Sequence, residues 1–312
     1  MESTAKKLSI KKKTIYKYLF VIAIICLPVT QFFIFYVGVN LNSVLLAFQT
    51  YSQNAEGQYE FIYNAGFSNF IQFATDIFRD ETMVACVKNS AIQYVIGLVV
   101  SMPLAIAVSY FIWKDIPGAG VFKVVLMLPS IISSMVFVII VKNLVMIGGP
   151  KLFNNDALSN IFRDNFYAIL IYDLWIGFAG NLVLYLGAMS GVSVDVVEYG
   201  KIDGVNGWQE LTHIVIPSIW PTITTFLVVG VAGFFTNAGS RYSFFEYPLQ
   251  NCPRKNWTLG FYFFAYATES AQAGGSTLYP YFSAGGLLFT LVATPITLLA
   301  RWGLEKFGPR ED

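Results

Sequence analysis

Residues 195–217 read DVVEYGKIDGVNGWQELTHIVIP, a polar, turn-bearing stretch set between two long apolar runs. Asp195 and Glu198 stand at capping-box spacing, each side chain able to meet the other's backbone N–H, so a short helix is expected to start at Asp195. Gly204 and Asn206-Gly207 supply a turn. From Trp208 to Val215 a second short helix would carry Leu211, Ile214 and Val215 on one face. Pro217 is then expected to open the next span, where its missing N–H costs little. The result is a compact knob. By these features alone it fits either an amphipathic hairpin lying on a membrane surface or a docking element, since helix, turn and amphipathicity name no partner.

The chain around it is greasy. Of 312 residues 55% are hydrophobic and only 12% charged, against about 25% charged in an ordinary soluble domain. The fold class expected is an all-α polytopic membrane protein. A net charge of +1, with no basic face beyond the N-terminus, speaks against nucleic acid as a partner. Cys26, Cys86 and Cys252 are widely spaced and lack zinc-site spacing, so neither a disulfide nor a metal site is expected. A single histidine, His213, speaks against a His-based metal centre or a Ser-His-Asp triad.

Apolar runs of bilayer-spanning length fall at Tyr18–Val39, Cys86–Trp113, Val121–Val141, Phe166–Met189, Ser218–Asn237 and Tyr281–Trp302. The first follows Lys6, Lys7, Lys11, Lys12, Lys13 and Lys17, which hold that end in the cytoplasm. It is too long for a signal-peptide core and lacks a small-residue end, so it reads as a retained span. Six spans return both termini to the cytoplasm and put 195–217 on the cytoplasmic face. The expected divisions are a basic N-terminus, first span and outer loop over 1–85, a core of the remaining spans over 86–304, and a cytoplasmic tail over 305–312.

The stretch EYGKIDGVNGWQELTHIVIP resembles the EAA loop of binding-protein-dependent ABC importer permeases. Glu198 matches the glutamate, Asp203-Gly204 the DG pair, Gln209 the glutamine common in sugar permeases, and Pro217 closes the I-x-LP element. Tyr199 and Gly200 stand where the family usually has two alanines, and Ile216 where it has leucine. GFSNFIQFATD (66–76), KNSAIQYV (88–95) and FKVVLMLPSIISSMV (122–136) resemble stretches of maltose-type sugar permeases, and the similarity runs from about residue 20 to 305. The tail GLEKFGPRED resembles the first rather than the second permease of the maltose type.

That resemblance implies a MetI-like core and a loop that docks into a cytoplasmic ATPase through Glu198 and Gly204. It also implies a second permease, two ATPase copies holding ATP and Mg, and an extracytoplasmic binding protein that delivers carbohydrate. The implied location is a bacterial cytoplasmic membrane. The chain carries no GxxxxGK[ST], so no nucleotide cofactor is expected within it and its ATPase would be a separate polypeptide.

Asp173 is an acid within an apolar span, where such a residue usually faces a cavity or a partner. Tyr172, Trp175, Asn181 and Tyr185 share that span and give the mixture of aromatic faces and hydrogen-bonding groups that suits a sugar pathway. Thr236 and Asn237 end the fifth span near where maltose-type permeases place polar sugar contacts, although the family's GGP stretch is not evident in NAGSRYSFFEYP. Two alternatives stand beside the carbohydrate importer: a permease for a non-sugar solute, and an ion-coupled secondary transporter. The latter would show several buried acids or inverted repeats, of which the sequence has one acid and no repeat. A membrane-embedded transferase would need convergent His, Asp or Glu clusters, and none is seen.

Overall fold

The structure is a computed structural model, and it describes residues 2–53, 59–62, 66–245, 251–272 and 278–309. Among the described residues the chain is helical nearly throughout, apart from one antiparallel pair of strands, β1 (Thr50–Gln53) and β2 (Tyr59–Ile62), that pairs Thr50 with Ile62 and Gln53 with Tyr59. In order, the helices used below are α1 (Lys17–Ala47), α2 (Ser68–Arg79), α3 (Glu81–Trp113), α4 (Ala119–Ile131), α5 (Ser134–Phe153) and α6 (Phe166–Met189). They are followed by α7 (Val194–Ile202), α8 (Gly207–Ser218), α9 (Trp220–Thr236), α10 (Arg241–Phe245), α11 (Leu259–Gln272) and α12 (Tyr279–Phe307). Among the described residues five helices are long and apolar enough to cross a membrane, and six if α8 and α9 count as one bent span. Their lipid-facing side chains, such as Phe20, Phe35 and Leu299, stand exposed. The protein is a multi-pass membrane protein.

One expected span keeps its limits. Phe166–Met189 starts where Asn165, in extended backbone, accepts the Tyr167 N–H at 2.9 Å. The second span begins earlier than expected, at Glu81, because Asp80 accepts the Thr82 and Met83 N–H groups at 2.6 and 3.0 Å and so caps an extra turn. Two expectations are corrected. The run Val121–Val141 is not one helix: α4 carries Pro129 and ends at Ile131, Ile132 and Ser133 are extended (ψ 141° and 129°), and α5 starts afresh at Ser134. Proline withholds one rung of the helical ladder and crowds the preceding turn, so the crossing of membrane length is Ser134–Phe153. Pro217 does not open a span either. It sits in the last turn of α8, the chain bends by 72° at Ile219, and Pro221 occupies the first turn of α9.

The chain forms two compact units, Met1–Phe73 with Thr277–Leu287, and Ala74–Ser276 with Leu288–Asp312. In the first, Asn69 donates to the carbonyls of Ala47 and Gln49 at 2.9 and 2.8 Å, pinning α2 to the end of α1. The buried Phe73 packs on Tyr281, and Gly285 leaves room for its ring, which any Cβ there would strike. In the second, Ala105, Ile106 and Tyr110 of α3, Leu182, Tyr185 and Met189 of α6, and Leu211, Val215 and Ile219 around α8 form one apolar core. A further cluster joins Phe137 and Val138 of α5, Ile169 and Tyr172 of α6, and Phe244 of α10.

Candidate functional site

The 195–217 stretch is two helices folded on each other. The expected Asp195–Glu198 capping box is not formed: Ser193 holds the extended N-cap position, α7 begins at Val194, and Asp195 lies inside its first turn, where a carboxylate suits the helix dipole. The capping box belongs instead to α8. Asn206 Oδ1 accepts the Gln209 N–H at 2.9 Å, and Gln209 Oε1 accepts the Asn206 N–H at 3.0 Å. Gln209 thereby holds a structural role that the Asn206–Gln209 spacing allowed and the Asp195–Glu198 expectation passed over.

Between the helices, Gly204 has φ +76°, the left-handed conformation that disfavours a side chain. Its N–H meets the Lys201 carbonyl at 3.1 Å, and the Val205 N–H meets the Gly200 carbonyl at 3.0 Å. These two bonds close α7 as a Schellman motif. Gly200 is where the helices touch, since a Cβ there would come within 2.7 Å of Ile214 Cδ1. The glycine that departs from the family's alanine is thus matched to a close crossing.

The outer side of the knob is unusually apolar for an exposed surface. Tyr199, Ile202 and Trp208 are 68%, 80% and 72% exposed, beside exposed Glu198 and Asp203. The inner side is anchored by Leu211 and Val215 in the core and by Glu210, which is 5% exposed and ion-paired with Lys114 at the end of α3.

Farther along the same helices lies a cavity of about 330 Å³, within the usual size range of small-molecule clefts. Three helices line it, each with residues at helical spacing. From α3 come Ser90, Gln93, Tyr94, Gly97, Leu98, Ser101 and Met102, from α6 Asp173, Leu174, Gly177, Asn181 and Tyr185, and from α9 Phe226, Leu227, Val229, Gly230, Gly233 and Phe234, with Asn237 just past its end. The space exists because glycines replace side chains on two of the walls: a Cβ on Gly177 or Gly233 would meet nothing within 4 Å. Gln93 Oε1 is buried there without a protein hydrogen-bond donor.

Of the pathway residues expected from sequence, Asp173, Asn181, Tyr185 and Asn237 line this cavity. The other three do not. Tyr172 and Trp175 point to the other side of α6, against Phe137, with ring centroids 6.3 and 5.2 Å away. Thr236 turns its hydroxyl back to the Ala232 carbonyl at 3.1 Å. Sequence reasoning missed the α3 wall, although Ser90, Gln93/Tyr94, Gly97 and Ser101 recur every three to four residues in an otherwise apolar run.

Asp173 is the one formally charged residue among those lining the cavity, and it is already engaged. Its Oδ2 receives Arg241 Nη1 at 3.3 Å and its Oδ1 the Ser240 N–H at 2.9 Å. Arg241 is fully buried, also donates to the Asn256 and Ala238 carbonyls at 2.7 and 3.2 Å, and lies 5.4 Å from the Phe166 ring centroid. Burial pulls its proton affinity below the ordinary arginine value, and the Asp173 charge opposes that shift. Around this pair the 251–260 segment is tied down: Asn89 donates to the Lys255 and Trp257 carbonyls, both at 2.8 Å, Ser90 Oγ accepts the Leu259 N–H at 2.9 Å, and Thr258 donates to the Asn237 carbonyl at 3.0 Å. In this segment burial pushes the Cys252 thiol up to about 12.

Residues 94–311 match the family of binding-protein-dependent transport system inner membrane components. The chain belongs to this family. This inner membrane component is 27% identical over 191 residues to the maltose/maltodextrin transport system permease protein MalF of Vibrio parahaemolyticus, an alignment covering 57% of this chain and 36% of that protein. It is 22% identical over 182 residues to the lactose transport system permease protein LacF of Rhizobium radiobacter, covering 54% and 60%. The chain thus spans about a third of the length of the maltose-system relatives it matches. Its fold is shared with a chain of a bacterial ABC transporter involved in the import of the acidic polysaccharide alginate, at TM-score 0.69 and 20% identity over 95% of this inner membrane component and 98% of that chain. A second crystal structure, of the alginate ABC transporter in complex with alginate pentasaccharide-bound periplasmic protein, matches at TM-score 0.67 and 18% identity over the same shares.

Proposed function

We propose that this chain is a permease subunit of an ATP-driven importer that moves a carbohydrate across the cytoplasmic membrane by alternating access. The observation that carries the reading is the interior cavity. It offers the Ser90 and Ser101 hydroxyls, the Gln93, Asn181 and Asn237 amides and the Tyr94, Tyr185, Phe226 and Phe234 rings, and it holds the unpartnered Gln93 carbonyl oxygen. Aromatic faces with uncharged donors and acceptors suit a polyhydroxylated ring, whose C–H faces stack while its hydroxyls bond. The relatives named for maltose, maltodextrin and lactose transport support the same class.

In this reading Asp173, Asn181, Tyr185 and Asn237 face the cargo route in a permease core over residues 86–304. Glu198, Asp203, Gly204, Gln209 and Pro217 belong to the knob that docks with a cytoplasmic ATPase. Both termini face the cytoplasm, a similar second permease completes the pathway, and an extracytoplasmic binding protein delivers the sugar. ATP and Mg are held by two ATPase copies. The knob is physically suited to docking. Capped at Asn206, closed at Gly204 and crossed tightly at Gly200, it can move as a rigid body while exposing Tyr199, Ile202 and Trp208 to a partner.

The test is uptake of radiolabelled oligosaccharides by cells expressing the whole transporter, wild type against Glu198→Lys with Gly204→Asp. The proposal expects ATP-dependent accumulation that the double change abolishes while the protein still reaches the membrane. Uptake that is ATP-independent, or indifferent to those changes, would overturn it.

A further inference from the structure

We propose that the Lys114–Glu210 ion pair, together with the Tyr110 hydroxyl, is the joint through which motion of the 195–217 knob is passed to α3 and so to the wall of the cavity. This rests on the ATPase-coupled reading above and adds to it a pair of positioning residues that touch neither cargo nor ATPase.

Three observations place the joint. Glu210 is the buried acid of the knob: Asp195, Glu198 and Asp203 are all exposed, whereas Glu210 sits on the inner side, ion-paired with Lys114 and hydrogen-bonded by the Tyr110 hydroxyl. Lys114 caps the end of α3, and its ammonium also lies 5.3 Å from the Trp113 ring and 5.9 Å from the Tyr110 ring. The same α3 carries Ser90 to Met102 along the cavity, so whatever holds its last turn sets the position of that wall. A second tie, Ser109 Oγ to the Leu182 carbonyl at 3.3 Å, locks α3 to α6, the helix of the opposite wall.

The chemistry explains why the pair, rather than the apolar contacts beside it, would carry the motion. Leu211 and Val215 share one apolar core with Ala105 and Ile106, but apolar packing is non-directional and lets one surface slide over another. A largely desolvated ion pair cannot slide or separate without stranding a charge, so it resists pulling as well as pushing. Tyr110 makes the arrangement stiffer, because its ring is part of the apolar core while its hydroxyl reaches the carboxylate.

The experiment uses the full transporter, with its ATPase and binding protein, in proteoliposomes. Basal and binding-protein-stimulated ATP hydrolysis are compared for wild type, Lys114→Met, Glu210→Gln and the exchanged pair Lys114→Glu with Glu210→Lys. The joint predicts that each single variant still co-purifies with the ATPase and hydrolyses ATP. Its ratio of stimulated to basal hydrolysis should fall by roughly 2- to 30-fold, the scale of coupling changes from residues that touch neither ligand. The exchanged pair should recover most of it. Tyr110→Phe, which keeps the ring in the core, should lower the ratio by about twofold at the bottom of that range and gives a reading even if a charge variant fails to accumulate. A stimulation ratio unchanged in the variants, or a loss that tracks protein yield and co-purification, would overturn the joint, as would an exchanged pair no better than the singles. Wild-type complex that is stimulated by its binding protein yet takes up no saccharide would overturn the cargo reading alone, since the joint is still read from the ratio.

Discussion

Replacing Asp173 by alanine should act on stability before it acts on transport. The change strips Arg241, which is fully buried, of its carboxylate, and leaves the Ser240 N–H without its acceptor. Breaking one side of a buried ion pair costs about 3–5 kcal/mol, which is about two to three and a half decades in the unfolding equilibrium. At about 2–4 °C per kcal/mol for a unit of this size, the midpoint of thermal unfolding should fall by about 6–20 °C. Intrinsic tryptophan fluorescence of the detergent-solubilised protein reads that shift. The paired change Asp173→Leu with Arg241→Met removes both charges and should regain most of the loss, because well-packed apolar groups replace a buried pair at little cost. Tyr172→Phe is the control: the Tyr172 hydroxyl is buried without a partner, so its removal should leave the midpoint unchanged or raise it slightly. If Asp173→Ala melted within about 1 kcal/mol of wild type while uptake was lost, Asp173 would be acting on the cargo, and the argument from burial would be refuted.

Other expectations follow from single positions. Gly204→Val places a β-branched residue at φ +76°, where an L side chain costs about 1–2 kcal/mol, and should weaken ATPase co-purification while α7 elsewhere is untouched; undiminished co-purification would count against the knob's rigidity. Gly233→Leu points into open cavity and should leave the midpoint of unfolding near wild type while uptake falls; retained uptake would move the cargo route elsewhere. For Cys252 the folded thiol titrates at about 12, against about 8.5 in the unfolded chain. The folded state therefore binds more protons between those values, so the contribution to stability is complete below the unfolded pKa and is lost as pH rises toward 12. In a variant keeping Cys252 as its one cysteine, maleimide labelling of native protein should stay slow through pH 9 and become fast only after denaturation; native labelling as fast as that of the denatured protein, levelling off near the ordinary thiol pKa of about 8.5, would contradict the burial.

Much of the architecture was legible in the residues themselves because lipid makes simple demands. Every span must be long, apolar and internally hydrogen-bonded, so Phe166–Met189 could be read to its ends from hydrophobicity. Gly204 announced its turn, since few other residues tolerate that backbone. What misled was local ambiguity: Asp195 and Asn206 both begin capping-box patterns, but Ser193, two residues before Asp195, is the extended N-cap of α7, so only the Asn206 box forms. Likewise Pro129 stands inside an expected span and Pro217 and Pro221 flank the start of another, and only packing fixed where the chain breaks.

By itself, then, the sequence determined that this is a helical membrane protein whose spans are interrupted by a glycine-turned pair of short helices, because composition, period and turn chemistry act over a few residues. Tertiary structure alone decided the rest. Asp173 meets Arg241, Lys114 meets Glu210, and Gly177 and Gly233 open a cavity rather than a helix contact. In each case the partners belong to helices far apart in the chain, and it is the burial of both against a shared apolar core that brings their charges, or their missing side chains, to one place.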